Sequence, residues 1–144
     1  MPEVVIDSTV LVSAFLTARP GGASHELLRF AAGDAFTLHL SPAIVQETER
    51  VLLTRKRLKE HFQYRDEDVR TYITNLVVLA EVTAEITDIP RVVRDPNDDM
   101  VIACALAVDA DYIVTRDKDL LDLQRYNDIT ILSPEDLLAR LRGQ

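Results

Sequence analysis

Val4-Val5-Ile6-Asp7-Ser8-Thr9-Val10-Leu11-Val12-Ser13-Ala14-Phe15-Leu16 decides the reading of the fold. Its first three residues are a short, fully apolar run, the pattern of a central parallel strand buried on both faces. The apolar stretch 10–16 reads as a helix packed against that strand. Asp7 stands between the two.

The same strand, acid and helix unit recurs along the chain. Residues 36–40 read as a second strand, and Ser41-Pro42 starts a helix with Ser as N-cap and Pro at the first helical position. Ile44, Val45, Thr48, Val51 and Leu52 mark its buried side. Between these units, Arg19-Pro20-Gly21-Gly22 reads as a turn. Ser24 is placed to cap a helix that ends at Gly33-Asp34. Residues 54–61 read as a short basic helix, and the acids around Asp66 open another through Val69, Ile73, Leu76 and Val77. Residues 81–85 alternate like an edge strand, although a loop fits as well. Asp95-Pro96-Asn97-Asp98 reads as a turn before a helix from Asp98 or Asp99 to about Val108. Strands are expected at 112–115 and 129–132, with a short helix between them. Ser133-Pro134-Glu135-Asp136 caps a C-terminal helix. This alternation predicts an α/β domain spanning residues 1–144, with a mainly parallel sheet and helices on both faces. Ligands of such sheets bind beyond the carboxyl ends of the strands, where the winding reverses.

Three acidic stations fall at or near that edge by sequence position: Asp7, Glu47 a little way into the helix after the second strand, and Asp117. A fourth, Asp98-Asp99, opens a helix that leads into a strand. Each acid alone has an ordinary explanation: a helix cap, a turn residue or a surface residue. Convergence of the set would demand a counter-charge, and hard oxygen ligands suit Mg²⁺ or Mn²⁺. Such ions activate water and stabilise phosphoryl transition states, often as a pair.

Composition narrows the classes. The 144 residues are 47% hydrophobic and 28% charged, ordinary globular values. A net charge of −8 argues against a protein that coats nucleic acid non-specifically. The distribution is uneven. Residues 50–70 carry Arg50, Arg55, Lys56, Arg57, Lys59, Arg65 and Arg70, whereas residues 95–128 carry nine aspartates. The first segment could meet phosphates while the second holds cations, or the basic run could be a solvated helix face. The lone cysteine, Cys104, excludes an intrachain disulfide and lies in an apolar helix pattern, as a small buried hydrophobe does. The stretch 10–16 is too short to span a bilayer and no basic leader precedes it, so a soluble, cytoplasmic protein with no membrane association is expected.

The four motifs resemble those of the PIN-domain nucleases, in order and over the whole chain. The quoted opening stretch looks like the first motif. Leu40-Ser41-Pro42-Ala43-Ile44-Val45-Gln46-Glu47, through Val51-Leu52, resembles the second. Asp95-Pro96-Asn97-Asp98-Asp99-Met100-Val101-Ile102-Ala103-Cys104-Ala105-Leu106-Ala107 resembles the third. Ala110-Asp111-Tyr112-Ile113-Val114-Thr115-Arg116-Asp117-Lys118-Asp119-Leu120-Leu121 resembles the fourth. The nearest branch is that of the toxin components of toxin–antitoxin pairs. The resemblance implies a three-layer α/β/α sandwich and Mg²⁺- or Mn²⁺-dependent cleavage of single-stranded RNA. It implies catalytic and metal-binding roles for Asp7, Glu47, Asp99 and Asp117, with Asp99 favoured over Asp98 by its spacing to the helix core. Asp98 would then be a ligand through water or a cap. Thr9 and Thr115 would orient ligands or phosphate, and Arg55, Lys56, Arg57 and Lys59 would steer the RNA backbone. An antitoxin partner and a homodimer are further implications.

One departure bears on activity. The family commonly carries Asp-Thr-Asn in its first motif, where this chain has Asp7-Ser8-Thr9. A threonine hydroxyl donates one hydrogen bond, with shorter reach than an asparagine amide. A domain that keeps the fold but only binds RNA or protein, with weak or no catalysis, is therefore the rival expectation. Other chemistries lack their motifs. Gly21-Gly22 is not followed by the Lys-Ser/Thr of a phosphate loop, and no Gly-x-Ser-x-Gly elbow exists. A dehalogenase-type phosphatase would want Asp at position 9. His25, His39 and His61 lack metal-ligand spacing, and the aromatics are not interleaved with bases.

Overall fold

The computed structural model describes residues 1–18 and 22–143. Residues 19–21 of the anticipated Arg19–Gly22 turn lie outside the described residues. In chain order the elements are β1 (Glu3–Ile6), α1 (Ser8–Leu16), α2 (Ala23–Ala32), β2 (Thr37–Leu40), α3 (Pro42–Thr54), α4 (Lys56–Phe62), α5 (Asp66–Leu79) and β3 (Glu81–Val82). Then follow α6 (Pro96–Ala107), β4 (Tyr112–Val114), α7 (Lys118–Leu123), β5 (Arg125–Tyr126), β6 (Ile129–Leu132) and α8 (Pro134–Leu141).

Among the described residues the strands form one sheet in the order β3-β2-β1-β4-β6-β5. All neighbouring pairs are parallel except β5 with β6. The chain winds outward from β1 through β2 to β3, then crosses back to β4 on the other side of β1 and winds outward again. Right-handed crossovers in opposite directions set helices on opposite faces, which makes the three-layer α/β/α sandwich. The reversal falls between β1 and β4, so the carboxyl ends of these two strands, at Asp7 and Thr115, border the crevice that such a switch point opens.

The apolar run of β1 explains its central place. Val4, Val5 and Ile6 are fully buried, and each residue packs into a helix layer. Leu11, Leu27, Leu40, Leu52, Leu76, Ile102, Ile113, Leu120 and Leu137 bring the helices and flanking strands into the same core. Ser41 caps α3 by accepting from Ile44 N at 3.3 Å, and Ser133 caps α8 by accepting from Asp136 N at 3.1 Å. Phe15 of α1 packs between Tyr64 and Tyr72, with ring centroids 5.0 Å from each. Tyr72 Oη donates to Leu11 O at 2.6 Å and Tyr64 Oη to Leu52 O at 2.6 Å. These contacts brace α1 against α3 and α5, and so fix the helix that carries Glu47 relative to the strand end that carries Asp7.

Three local expectations are corrected, and one strand is new. Ser24 does not cap α2, whose N-cap is Gly22; its buried hydroxyl instead accepts from the Arg116 guanidinium. The third-motif helix starts at Pro96, with Asp95 as its N-cap, rather than at Asp98 or Asp99. The strand after α5 is only Glu81–Val82, both exposed at the sheet edge. β5 was not anticipated. It pairs with β6 across a two-residue turn whose first residue, Asn127, has φ 52°, a conformation Asn tolerates well.

Candidate metal centre

The floor of the crevice is a hydrogen-bonded net joining the ends of β1 and β4. Asp7 is 2% exposed and caps α1, where its Oδ1 accepts from Val10 N at 3.2 Å. The same oxygen accepts from Thr9 Oγ1 at 2.6 Å, and Oδ2 accepts from Thr115 Oγ1. Each hydroxyl also accepts from a backbone amide, Thr9 from Arg116 N at 3.0 Å and Thr115 from Asp117 N at 2.9 Å. An amide can only donate, so each hydroxyl must aim its single proton at Asp7. Thr9 is thus a tie between the first and fourth motifs. Burial nevertheless raises Asp7 to about 6, against the bonds from Thr115, Thr9 and Val10, and nearby Asp117 adds to the rise.

Above this floor, carboxylate oxygens of Asp95, Asp98 and Asp117 lie within 4.8 Å of one another. Asp117 caps α7, with Oδ1 accepting from Asp119 N at 2.8 Å. Asp95 caps α6, with Oδ1 accepting from Asn97 N at 2.9 Å. Asp98 is 5% exposed, and its Oδ2 is buried without a hydrogen-bond partner. Loss of solvent pushes the Asp98 carboxyl up to about 7, and Asp117, Asp95 and Asp7 push in the same direction. Glu47 lines the crevice from α3, ion-paired with Arg50 one turn along the helix. Ser8, Thr9 and Arg55 line it too.

The residues present fit a divalent cation. All donors are hard oxygens, one of them is buried without a partner, and two carboxyls resist ionisation in the absence of counter-charge. A cation would reverse both penalties.

Most of the anticipated set is brought together: Asp7, Glu47, Asp98 and Asp117, with Thr9, Thr115 and Arg55 around them. Asp99 is not. Its Oδ1 accepts from Val92 N at 2.8 Å and Val93 N at 2.9 Å, on a different side of α6. Successive helical residues point about 100° apart, so a helix that presents Asp98 to the crevice turns Asp99 away. The geometry therefore favours Asp98 where acid-to-core spacing favoured Asp99. Lys56 and Arg57 line a separate surface hollow on α4, which Arg55 also borders, and Lys59 pairs with Asp66. The sequence marks Asp95 only as a turn residue; its place ahead of Pro96 at a helix start, three residues before Asp98, is the signal that it sits beside that acid. Cys104 is fully buried, and burial pushes its thiol up to about 11, which leaves it inert.

The PIN domain family model matches residues 3–119, a span that includes all four acidic stations and both threonines. The chain belongs to the PIN-domain nuclease family. The PIN fold also appears in the crystal structure of VapBC2 from Rickettsia felis bound to a DNA fragment from their promoter. That chain superposes with a TM-score of 0.63 at 12% identity, over 91% of this chain and 98% of the other. No curated protein matches the sequence. No described helix of this PIN domain is long and apolar enough to cross a membrane.

Proposed function

We propose that this PIN domain is a Mg²⁺- or Mn²⁺-dependent endoribonuclease that cleaves single-stranded RNA, acting in the cytoplasm as the toxin of a toxin–antitoxin pair. The observation that carries the reading is the buried, unpartnered Oδ2 of Asp98, set among Asp7, Asp95 and Asp117 at the switch point of the sheet. Asp7, Asp98 and Asp117 would hold the cation, with Glu47 and Asp95 completing its oxygen surroundings. When bound, the cation supplies positive charge that polarises water and a phosphodiester oxygen. Thr9 and Thr115 orient Asp7 and offset part of the burial penalty on its charge by directing their protons at its two oxygens. Arg55, in the crevice wall, would receive a substrate phosphate. Lys56, Arg57 and Lys59, along α4, would extend that track.

An antitoxin partner and a homodimer belong to the same proposal. They are supported by the family resemblance and, for the partner, by the fold likeness to VapBC2. The rival reading, a binding module without catalysis, drew on Thr9. The Thr9 hydroxyl, however, keeps a bond to Asp7, which favours the enzyme.

Purified protein is expected to cut single-stranded RNA with Mn²⁺ or Mg²⁺. EDTA, Asp7→Asn and Asp98→Asn should each stop it. Cleavage unchanged in Asp98→Asn would overturn the proposed ligand set, and RNA binding with no cation-dependent scission would favour the binding module.

A further inference from the structure

Residues 83–95 form a strap without helix or strand between β3 and α6. Two of its backbone amides, Val92 and Val93, are held by Asp99 Oδ1 at 2.8 and 2.9 Å. The next two residues are Arg94 and Asp95. Asp95 is one of the three clustered carboxylates. Arg94 is 91% exposed at its side chain, and its guanidinium reaches Asp119 Oδ2 only at 3.7 Å. A long, solvated pair of that kind contributes little and exchanges readily for a stronger partner. A phosphate is such a partner, because it takes a guanidinium through two parallel bonds.

We propose that Asp99 is a positioning residue that latches the strap, so that Arg94 contacts a phosphate of the nucleic-acid substrate at the crevice rim. The inference rests on the nuclease reading for its substrate and on hydrogen-bond geometry for its latch. Arg55 lines the crevice from the end of α3, whereas Arg94 lies outside its lining, one residue before Asp95 of the crevice wall and paired with Asp119 two residues after Asp117, so a phosphate at the rim is the contact that would draw it toward the clustered acids. Adjacent acids of one helix thus divide two duties, Asp98 toward the cation and Asp99 toward the strap.

The latch makes an unusual demand on a substitution. Both amides end on one oxygen of Asp99, so the carbonyl oxygen of asparagine can replace it. At a cation ligand asparagine keeps an oxygen but loses the negative charge and one of the two donor oxygens, so it replaces a ligating carboxylate poorly. Asp99→Asn should therefore restore what Asp99→Ala loses, whereas Asp98→Asn should not function.

The test combines amide exchange by NMR with steady-state cleavage of single-stranded RNA in Mn²⁺. In Asp99→Ala the Val92 and Val93 amides should exchange about tenfold faster or more, with protection recovered in Asp99→Asn. Asp99→Ala and Arg94→Ala should each raise KM about tenfold, with a smaller change in kcat for Arg94→Ala. Unchanged protection in Asp99→Ala, or cleavage lost as fully in Asp99→Asn as in Asp98→Asn, would overturn the latch. An unchanged KM in Arg94→Ala would overturn the phosphate contact. If the wild type cuts no RNA, the nuclease reading and the Arg94 contact fail together, and amide exchange still decides the latch. If Asp99→Ala does not fold, Asp99→Asn decides alone: kept protection with kept cleavage supports the latch, and lost cleavage overturns it.

Discussion

Asp98→Asn should stabilise the cation-free protein at pH 8 while destroying its response to Mn²⁺. The Asp98 carboxyl titrates at about 7 in the fold against an ordinary 3.8, because burial and three neighbouring acids oppose its charge. A folded-state value above the unfolded one means that the native state keeps a proton the unfolded chain releases. Stability is then full below pH 3.8, falls as pH rises through the interval to about 7, and stays reduced above it. At ~1.4 kcal/mol per pH unit the interval corresponds to roughly 4 kcal/mol. The crevice is open to water and salt, and that screening brings the figure down to about 1–2 kcal/mol. For a chain of this size the gain amounts to roughly 3–8 °C in Tm. Thermal melts by circular dichroism in EDTA, at pH 3.5 and pH 8, test the sign: the variant should gain at pH 8 and not at pH 3.5. Saturating Mn²⁺, at ~100 times its Kd, should raise the wild type by about 2.7 kcal/mol and the variant by far less. A variant that melts below the wild type in EDTA at pH 8, or that keeps the full Mn²⁺ response, would refute this reasoning.

Thr115→Val keeps the shape but strips the buried donor to Asp7 Oδ2 and the part-buried acceptor of Asp117 N, and should cost about 2–3 kcal/mol in urea unfolding. The loss should grow above pH 6, because Asp7 then ionises without one of its donors. Thr9→Val removes the tie between Asp7 and Arg116 N, and should weaken Mn²⁺ binding about tenfold by isothermal titration. Tyr72→Phe loses only the bond to Leu11 O and should cost about 1 kcal/mol, read from the denaturant midpoint.

The alternation of apolar runs made the sheet legible, because β1, β2, β4 and β6 are buried strands whose residues have little choice but to be hydrophobic. The short edge pieces were less legible. Glu81 and Val82 are exposed, so their alternation carries no burial signal, and β5 is two residues long. The site was legible as a set of stations and ambiguous within one of them. Choosing between Asp98 and Asp99 needs the phase of α6, and that phase follows from a start at Pro96 under an Asp95 cap. Ser24 shows what a local reading cannot reach. Its hydroxyl looks like a cap in its own neighbourhood, but it is claimed by Arg116, 92 residues away. The basic run divides for the same reason, since Arg55 reaches the crevice and Lys59 is taken by Asp66.

The central claim is that a divalent cation sits between the ends of β1 and β4, held by Asp98 and not by Asp99. A crystal soaked in Mn²⁺ and measured for anomalous scattering tests it directly. A peak is expected within about 2.0–2.6 Å of carboxylate oxygens of Asp98 and Asp117, on the Asp7 side of α6. A peak on Asp99, or no peak in the crevice at saturating Mn²⁺, would contradict it.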